Sequence, residues 1–207
     1  MLKKINNKLL LHFVDLFLKS SFAGIIVSIA GIVYINNRDI WGSIFFSVGL
    51  VSILKLRLKL FTGIAGFDNN YQNLLICFCG NLVGTICGSL IFKDKIRNFD
   101  FLNDLVQNKI DSNILTVFFS AIACGVFIYT AVLSYKNNCN DILSVVFCVS
   151  MFVIFGADHC IANSFFYFAS KNLSFGAILN ILICTIGNFL GAVLCDFISS
   201  FARNQNV

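Results

Sequence analysis

The sequence predicts an all-α membrane protein with six transmembrane helices. Three observations carry that prediction: the large supply of apolar residues, their grouping into six stretches, and a short motif that returns half a chain later. The 207 residues are 58% hydrophobic and 12% charged, with a mean hydropathy of +0.86. A soluble domain of this length needs far more charge to cover its surface. At roughly 20 apolar residues per helical span, about 120 apolar side chains supply about six spans. A soluble enzyme, a disordered chain and a nucleic-acid binder are excluded. The net charge of +5 is modest and finds its partner in the head groups of the lipid bilayer.

The N-terminal residues MLKKINNK look like the basic lead of a signal peptide. The run over 9–18, however, contains His12 and Asp15, and no small-residue cleavage site follows. Residues 1–20 are therefore expected to form an amphipathic helix on the membrane surface. The apolar stretches cover 21–36, 42–54 (extending toward 67), 73–92, 113–135, 142–169 and 174–199. They make one transmembrane domain over 21–200, with halves at about 21–93 and 113–200 and a tail at 201–207. Proline is absent, so a helix can break only at glycine or at polar residues in mid-span. Such breaks are expected at Thr62, Gly63 and Gly66 in the second stretch, and at Gly156 to His159 in the fifth. The polar segment 94–112 divides the chain near its middle.

Orientation is not written in the charges. Lys3, Lys4, Lys8, Lys19, Lys136 and Arg203 on one side balance Arg38, Lys93, Lys95, Arg97, Lys109 and Lys171 on the other. An even number of spans still puts both termini on the same side.

The third stretch contains Gly80-Asn81-Leu82-Val83-Gly84 and the sixth Gly187-Asn188-Phe189-Leu190-Gly191. Glycines at i and i+4 permit close helix packing, which is one sufficient reading of the glycines. The shared asparagine, and a polar break one span earlier in each case, point instead to duplication of a three-span unit. Three is odd, so the second copy inserts upside down. Inverted repeats with interrupted helices in matching positions mark a transport site at the membrane midplane.

In the fifth stretch Cys148, Phe152, Phe155, His159, Asn163 and Phe166 recur at spacings that put them on one helical face. An ionisable side chain inside a span is costly, and so is a candidate functional group. His159 out of water rests neutral and is able to give or take a proton; the alternative is a histidine that only hydrogen-bonds a neighbouring helix. Asp158 points about 100° away, toward another helix or a backbone amide. The nine cysteines sit almost entirely in apolar runs, where thiols act as small hydrophobes. Neither a disulfide framework nor a metal site is expected.

The run Gly156-Ala157-Asp158-His159-Cys160-Ile161-Ala162-Asn163-Ser164-Phe165-Phe166 resembles the G-x-E-H-S-x-A-N-M-x-F signature of the formate/nitrite transporter family. Phe46 to Leu50 and Leu60 to Gly63 are similar to that family's second helix and central loop. The two G-N-x-x-G motifs match its third and sixth helices, in the right order over about 20–200. The resemblance implies an aquaporin-like fold with the second and fifth helices broken, a homopentamer with a pore in each protomer, no cofactor, and cytoplasmic termini in the cell membrane. It also implies transport, not enzymatic activity, toward small monovalent weak-acid anions: formate, nitrite or hydrosulfide.

On that pattern His159 is the central pore residue, with Thr62 its partner on a mobile loop and Asn163 supporting the break. Leu60 and Phe61 form one constriction and Phe152 the other. Asp158 and Cys124 are candidate supports behind the site. A cationic vestibule gathers the anion, His159 or its bound water supplies a proton, and the neutral acid crosses an apolar slit where an ion would lose its hydration.

Lys55, Arg57 and Lys59 depart from the family pattern. Helical spacing puts Lys55 and Lys59 on one face with Arg57 nearly opposite. They either snorkel to the interface from a shallow helix or enlarge an anion-attracting funnel built on Lys55 and Lys59. The chain is also shorter than the family between Gly63 and Asn81, so the half-helix after the central loop is expected to be brief or absent. The rival functions are a non-conducting membrane subunit that keeps the fold, and an aquaporin-like pore for neutral solutes. The second lacks any Asn-Pro-Ala pair, since the chain has no proline.

Overall fold

The structure is a computed structural model that describes residues 2–204, with side chains described over 8–201. The side chains of Lys3, Lys4 and Arg203, and residues 205–207 of the expected tail, lie outside what is described. The chain is all-helical: α1 Leu2–Asn37, α2 Ile40–Lys55, α3 Phe61–Ile64, α4 Tyr71–Ile91, α5 Phe99–Asp111, α6 Ile114–Asn137, α7 Ile142–Ile154, α8 Cys160–Ser170 and α9 Phe175–Asn204, with a 3-10 turn at Lys93–Lys95. Among the described residues, four segments are long and apolar enough to cross a membrane: Lys8–Asn37, Tyr71–Ile91, Ile114–Asn137 and Phe175–Phe201. Ile40–Lys55 and Ile142–Ile154 are apolar but shorter.

Helix starts follow the local chemistry. Asp39, Asn70, Asn98, Asn113 and Asp141 each accept a backbone N–H of the helix that follows. Such side chains satisfy the orphan amides of a first turn. Residues 2–20, expected as a separate surface helix, are continuous with the first span. No proline or glycine interrupts α1 before Gly24, and Phe17, Ser20 and Ser21 already pack on Gly80 and Gly84 of α4.

Two helix pairs form the frame. His12 Nε2 meets Asn73 Oδ1 at 3.1 Å near the starts of α1 and α4, and Asn36 Nδ2 donates to the Lys95 carbonyl at 2.9 Å beyond their ends, so the two helices run parallel. α6 and α9 are likewise parallel, from Gly187 against Phe118 and Ala121 to Tyr129 Oη donating to Asp196 Oδ1 at 2.8 Å. Glycine lets the backbones touch: a Cβ on Gly24 would collide with the Asn81 carbonyl, and one on Gly125 with the Asn188 carbonyl. α2 and α7 pack together between the pairs. α6 begins beside α5 and ends where Lys55 Nζ donates to the Cys139 carbonyl at 3.0 Å, so it runs opposite to α1.

The polar connection 94–112 contains a helix of its own, α5. Leu102 and Val106 are buried on its inner face, and Lys109 follows one turn later on that face.

Candidate functional site

Two extended segments, 56–60 and 155–159, lie between short helices and face each other near the centre of the molecule. They share a backbone course. After α2 the chain turns through Arg57 at φ +54°, and after α7 through Gly156 at φ +75°. In both, the turn residue's N–H reaches back three residues and the next N–H five, Leu58 to Ile53 and Ala157 to Phe152. Leu60 (φ −109°, ψ 130°) then leads into α3 as His159 (φ −105°, ψ 116°) leads into α8.

An asparagine holds each segment. Asn81 Nδ2 donates to the carbonyls of Ser20 (2.8 Å) and Lys59 (2.9 Å), while its Oδ1 accepts from the Phe61 N–H at 2.8 Å. Asn188 Nδ2 donates to the carbonyls of Ala121 and Asp158 (both 2.8 Å), while its Oδ1 accepts from the Cys160 N–H at 2.9 Å. Irregular backbone in an apolar interior is tolerated only when its polar groups find such partners. The shared asparagine in the repeated motif is the signal that pointed here.

His159 is 3% exposed. Its Nδ1 accepts the Ala162 N–H at 3.1 Å, so the imidazole caps the first turn of α8. An N–H aimed at Nδ1 leaves that nitrogen unprotonated and puts the ring hydrogen on Nε2, which faces Thr62 Oγ1 at 2.9 Å. Thr62 sits on the four-residue α3 and is 1% exposed. The Phe152 ring stacks on the imidazole at 5.8 Å between centroids.

Asp158 is not bonded to His159. Its Oδ1 accepts from Lys109 Nζ (2.8 Å) and Asn163 Nδ2 (2.9 Å), and its Oδ2 from Ser120 Oγ (2.9 Å). Asn163 also donates to Asn180 Oδ1 at 3.0 Å, and Asn180 to the Lys109 carbonyl at 3.3 Å. The Lys109 and Asp158 side chains are only 12% and 9% exposed. A buried pair of this kind persists because its remaining hydrogen-bonding groups are filled as well. Lys109, Ser120 and Asn180 were missed in the sequence; the register of Lys109 with Leu102 and Val106 was the available signal.

Four cavities form a chain through these residues. A large one of about 290 Å³ opens beside Arg57, Lys59, Tyr135 and Lys136 and reaches inward to Leu50, Ile53 and Leu60. The next, about 20 Å³, is shared by Leu50, Ile53, Leu60, Phe152 and His159 and is almost wholly apolar. Beyond His159 a third, about 60 Å³, is lined by Tyr34, Phe46, Lys109, Phe152, His159 and Asn163. Through Tyr34 and Val153 it adjoins an outer cavity of about 290 Å³ at Arg38, Asp39 and Ser43. His159 and Phe152 are common to the two inner chambers, and Leu50, Ile53 and Leu60 stand between the inner apolar chamber and the outer basic one.

Several expected placements differ. Phe61 does not line these chambers; it is the first residue of α3, and its ring packs edge-on against Phe78 at 5.4 Å. Phe155 is 65% exposed, because the helix stops at Ile154 and the helical phase that aligned it with His159 ends there. Lys55 is absent from the basic chamber, being engaged with the Cys139 carbonyl and the Tyr135 ring. Arg57 joins Lys59 there because the left-handed turn cancels the helical spacing that had set them apart. Cys124 is fully buried in the core and lines none of the four cavities.

A family model described as "Formate/nitrite transporter" matches residues 1–201. Among curated proteins, the chain is similar to the "Formate-nitrite transporter" of Plasmodium malariae (30% identity over 149 residues, 58% of this chain and 48% of that protein). It is also similar to that of Plasmodium ovale (32% over 142 residues, 58% and 45%). The matched part spans about half the length of these relatives. Among solved structures, "FNT family ion channel" aligns with TM-score 0.81 at 21% identity, covering 96% of this chain and 92% of that one. "Pentameric formate channel with formate bound" aligns with TM-score 0.77 at 19% identity, covering 94% and 96%. At these identities the structures speak for the fold.

Proposed function

The chain belongs to the formate/nitrite transporter family, a family of multi-pass membrane transport proteins and not of enzymes, and from that premise we propose that it passes small monovalent weak-acid anions, with formate first and nitrite and hydrosulfide in the same class, by proton transfer at His159. In this reading α2 with α3, and α7 with α8, each make one interrupted span. The protein then has six spans arranged as an inverted three-plus-three repeat. It acts as a homopentamer in the cell membrane, a pore in each protomer and both termini in the cytoplasm.

The observation that carries the reading is the position of His159: buried, shared by two chambers, and joined to Thr62 of the other interrupted segment. Lys109 supplies positive charge in one of those chambers without standing as a bare ion, since Asp158 balances it. An anion drawn to the imidazole must next enter a chamber of about 20 Å³ with apolar walls, which disfavours any charged species. A proton taken at the ring from vestibule water, which leaves hydroxide in the vestibule, and passed to the anion's oxygen gives a neutral acid and returns the ring to neutrality. Because Nδ1 already holds the Ala162 N–H, the cationic ring must give up its helix cap, so it passes its proton on at once.

A second reading, a non-conducting subunit that keeps the fold, is favoured by one observation: Leu60 is 4% exposed and the chamber behind it holds about one water. The test is flux in proteoliposomes with formate, nitrite and hydrosulfide, comparing wild type with His159→Phe. Flux above empty vesicles that rises as pH falls, and that collapses or loses its pH dependence in the variant, supports the weak-acid route. No anion flux at any pH establishes the non-conducting subunit.

A further inference from the structure

The basic chamber has a property that transport of a small monovalent anion does not require. Arg57, Lys59 and Lys136 all line it, and no carboxylate does. The Lys136 ammonium is fixed 3.3 Å from the centre of the Phe67 ring, and Lys59 and Lys136 repel each other, while Asp196 acts on Lys136 from outside the lining. Arg57 holds its place at φ +54°, where the matching residue of the other segment is Gly156. Glycine is the unstrained residue in that conformation, so a long cation there is retained against backbone preference. The chamber offers about 290 Å³, and the way inward past Leu60 leads into about 20 Å³.

Three cations bordering one chamber, one of them a planar guanidinium, match several oxygens on one ligand, and a single formate would neutralise only one of them. We propose that this chamber binds a polyvalent oxyanion of phosphate chemistry, supplied from solution, which is too large to pass Leu60 and so stoppers the passage from that side. The blocking half rests on the transport reading above; the binding half does not. The same chemistry is carried by phospholipid head groups, toward which interfacial cations extend. The three side chains are exposed, yet they border one chamber of about 290 Å³ and not a flat surface, which favours a soluble ligand.

The test titrates inorganic pyrophosphate calorimetrically into the full chain held in zwitterionic-lipid nanodiscs at low salt. The expected result is saturable binding, weakened about tenfold or more by Lys59→Ala and by Arg57→Gly, each of which removes a charge-assisted bond. Arg57→Gly relieves the left-handed strain, so a folding failure would not mimic the effect. Absence of saturable binding to wild type, or equal binding by wild type and both variants, overturns the proposal. Protection of Lys59 from an amine-reactive reagent by phosphatidylglycerol nanodiscs, with none from pyrophosphate, overturns it in favour of the lipid. In proteoliposomes, pyrophosphate on both faces slows wild-type formate flux and slows Arg57→Gly flux much less; binding that leaves flux unchanged overturns the stopper. Variant-sensitive binding to a chain that conducts no formate upholds the site and sinks the transport reading instead.

Discussion

The segments 56–60 and 155–159 have the same backbone and opposite chemistry. Each turns through a left-handed residue, each ends on an extended residue before a helix, and each is held by one asparagine through three bonds. Where one presents Leu60, the other presents His159. Where one has Lys59 reaching water, the other has Asp158 in a buried pair with Lys109. The comparison separates two kinds of requirement. The asparagines and the close glycine contacts are common to both halves, and so belong to the architecture. The imidazole and the buried ion pair belong to one segment, and it is on them that the proposed function rests.

The largest contrast is expected at the charges. Lys109→Leu leaves Asp158 buried without a countercharge and costs about 3–5 kcal/mol, while Lys59→Ala, at a chamber open to water, stays within about 0.5 kcal/mol. Denaturant unfolding in detergent measures both; similar losses would erase the distinction between the segments. Next come the asparagines: Asn81→Ala and Asn188→Ala each strand buried backbone groups and each cost about 2–4 kcal/mol. Equal losses sharpen the comparison, and a large inequality would mean that only one segment depends on its clamp.

Gly24→Ala and Gly125→Ala drive a methyl group into the Asn81 and Asn188 carbonyls, respectively, and each is expected to cost about 1–3 kcal/mol by forcing the helix pairs apart. Loss of thermal stability in one and not the other would show that the pairs are not equivalent. The smallest effects have opposite signs at matching positions. Arg57→Gly stabilises by about 0.5–1 kcal/mol, and Gly156→Ala, at φ +75° with open space around it, destabilises by a similar amount. A shift of the same sign in both would remove backbone strain as the explanation.

Much of this was legible in the sequence. Long apolar stretches, polar punctuation without proline, and the repeated G-N-x-x-G motif located the membrane-crossing helices and the two segments. The run around His159 resembled its family closely enough to place the chain in it, and the shared asparagine announced itself as something packing did not need. What remained hidden was of a different kind. Asn81 bonds to Ser20, 61 residues away, and Lys109 to Asp158, 49 away; no local period encodes such partners. Lys109 lay within a segment that read as a connection because α5 has too little hydrophobic surface to stand out. Phe155 and Arg57 were assigned by helical phase across turns that reset it. Phase survives only as long as the hydrogen-bond ladder does.

The asparagine at the Leu60 segment has a consequence for tempo. With the Lys59 carbonyl and the Phe61 amide both tied to Asn81, the chain on either side of Leu60 is pinned to α4 and, through Ser20, to α1. These bonds oppose a swinging backbone there, so on the transport reading it is the leucine side chain that must move. Side-chain rotations take picoseconds to nanoseconds, whereas a loop that lifts takes far longer. On the transport reading, such a barrier would open and close too briefly to set the pace of flux, like a turnstile and not a door.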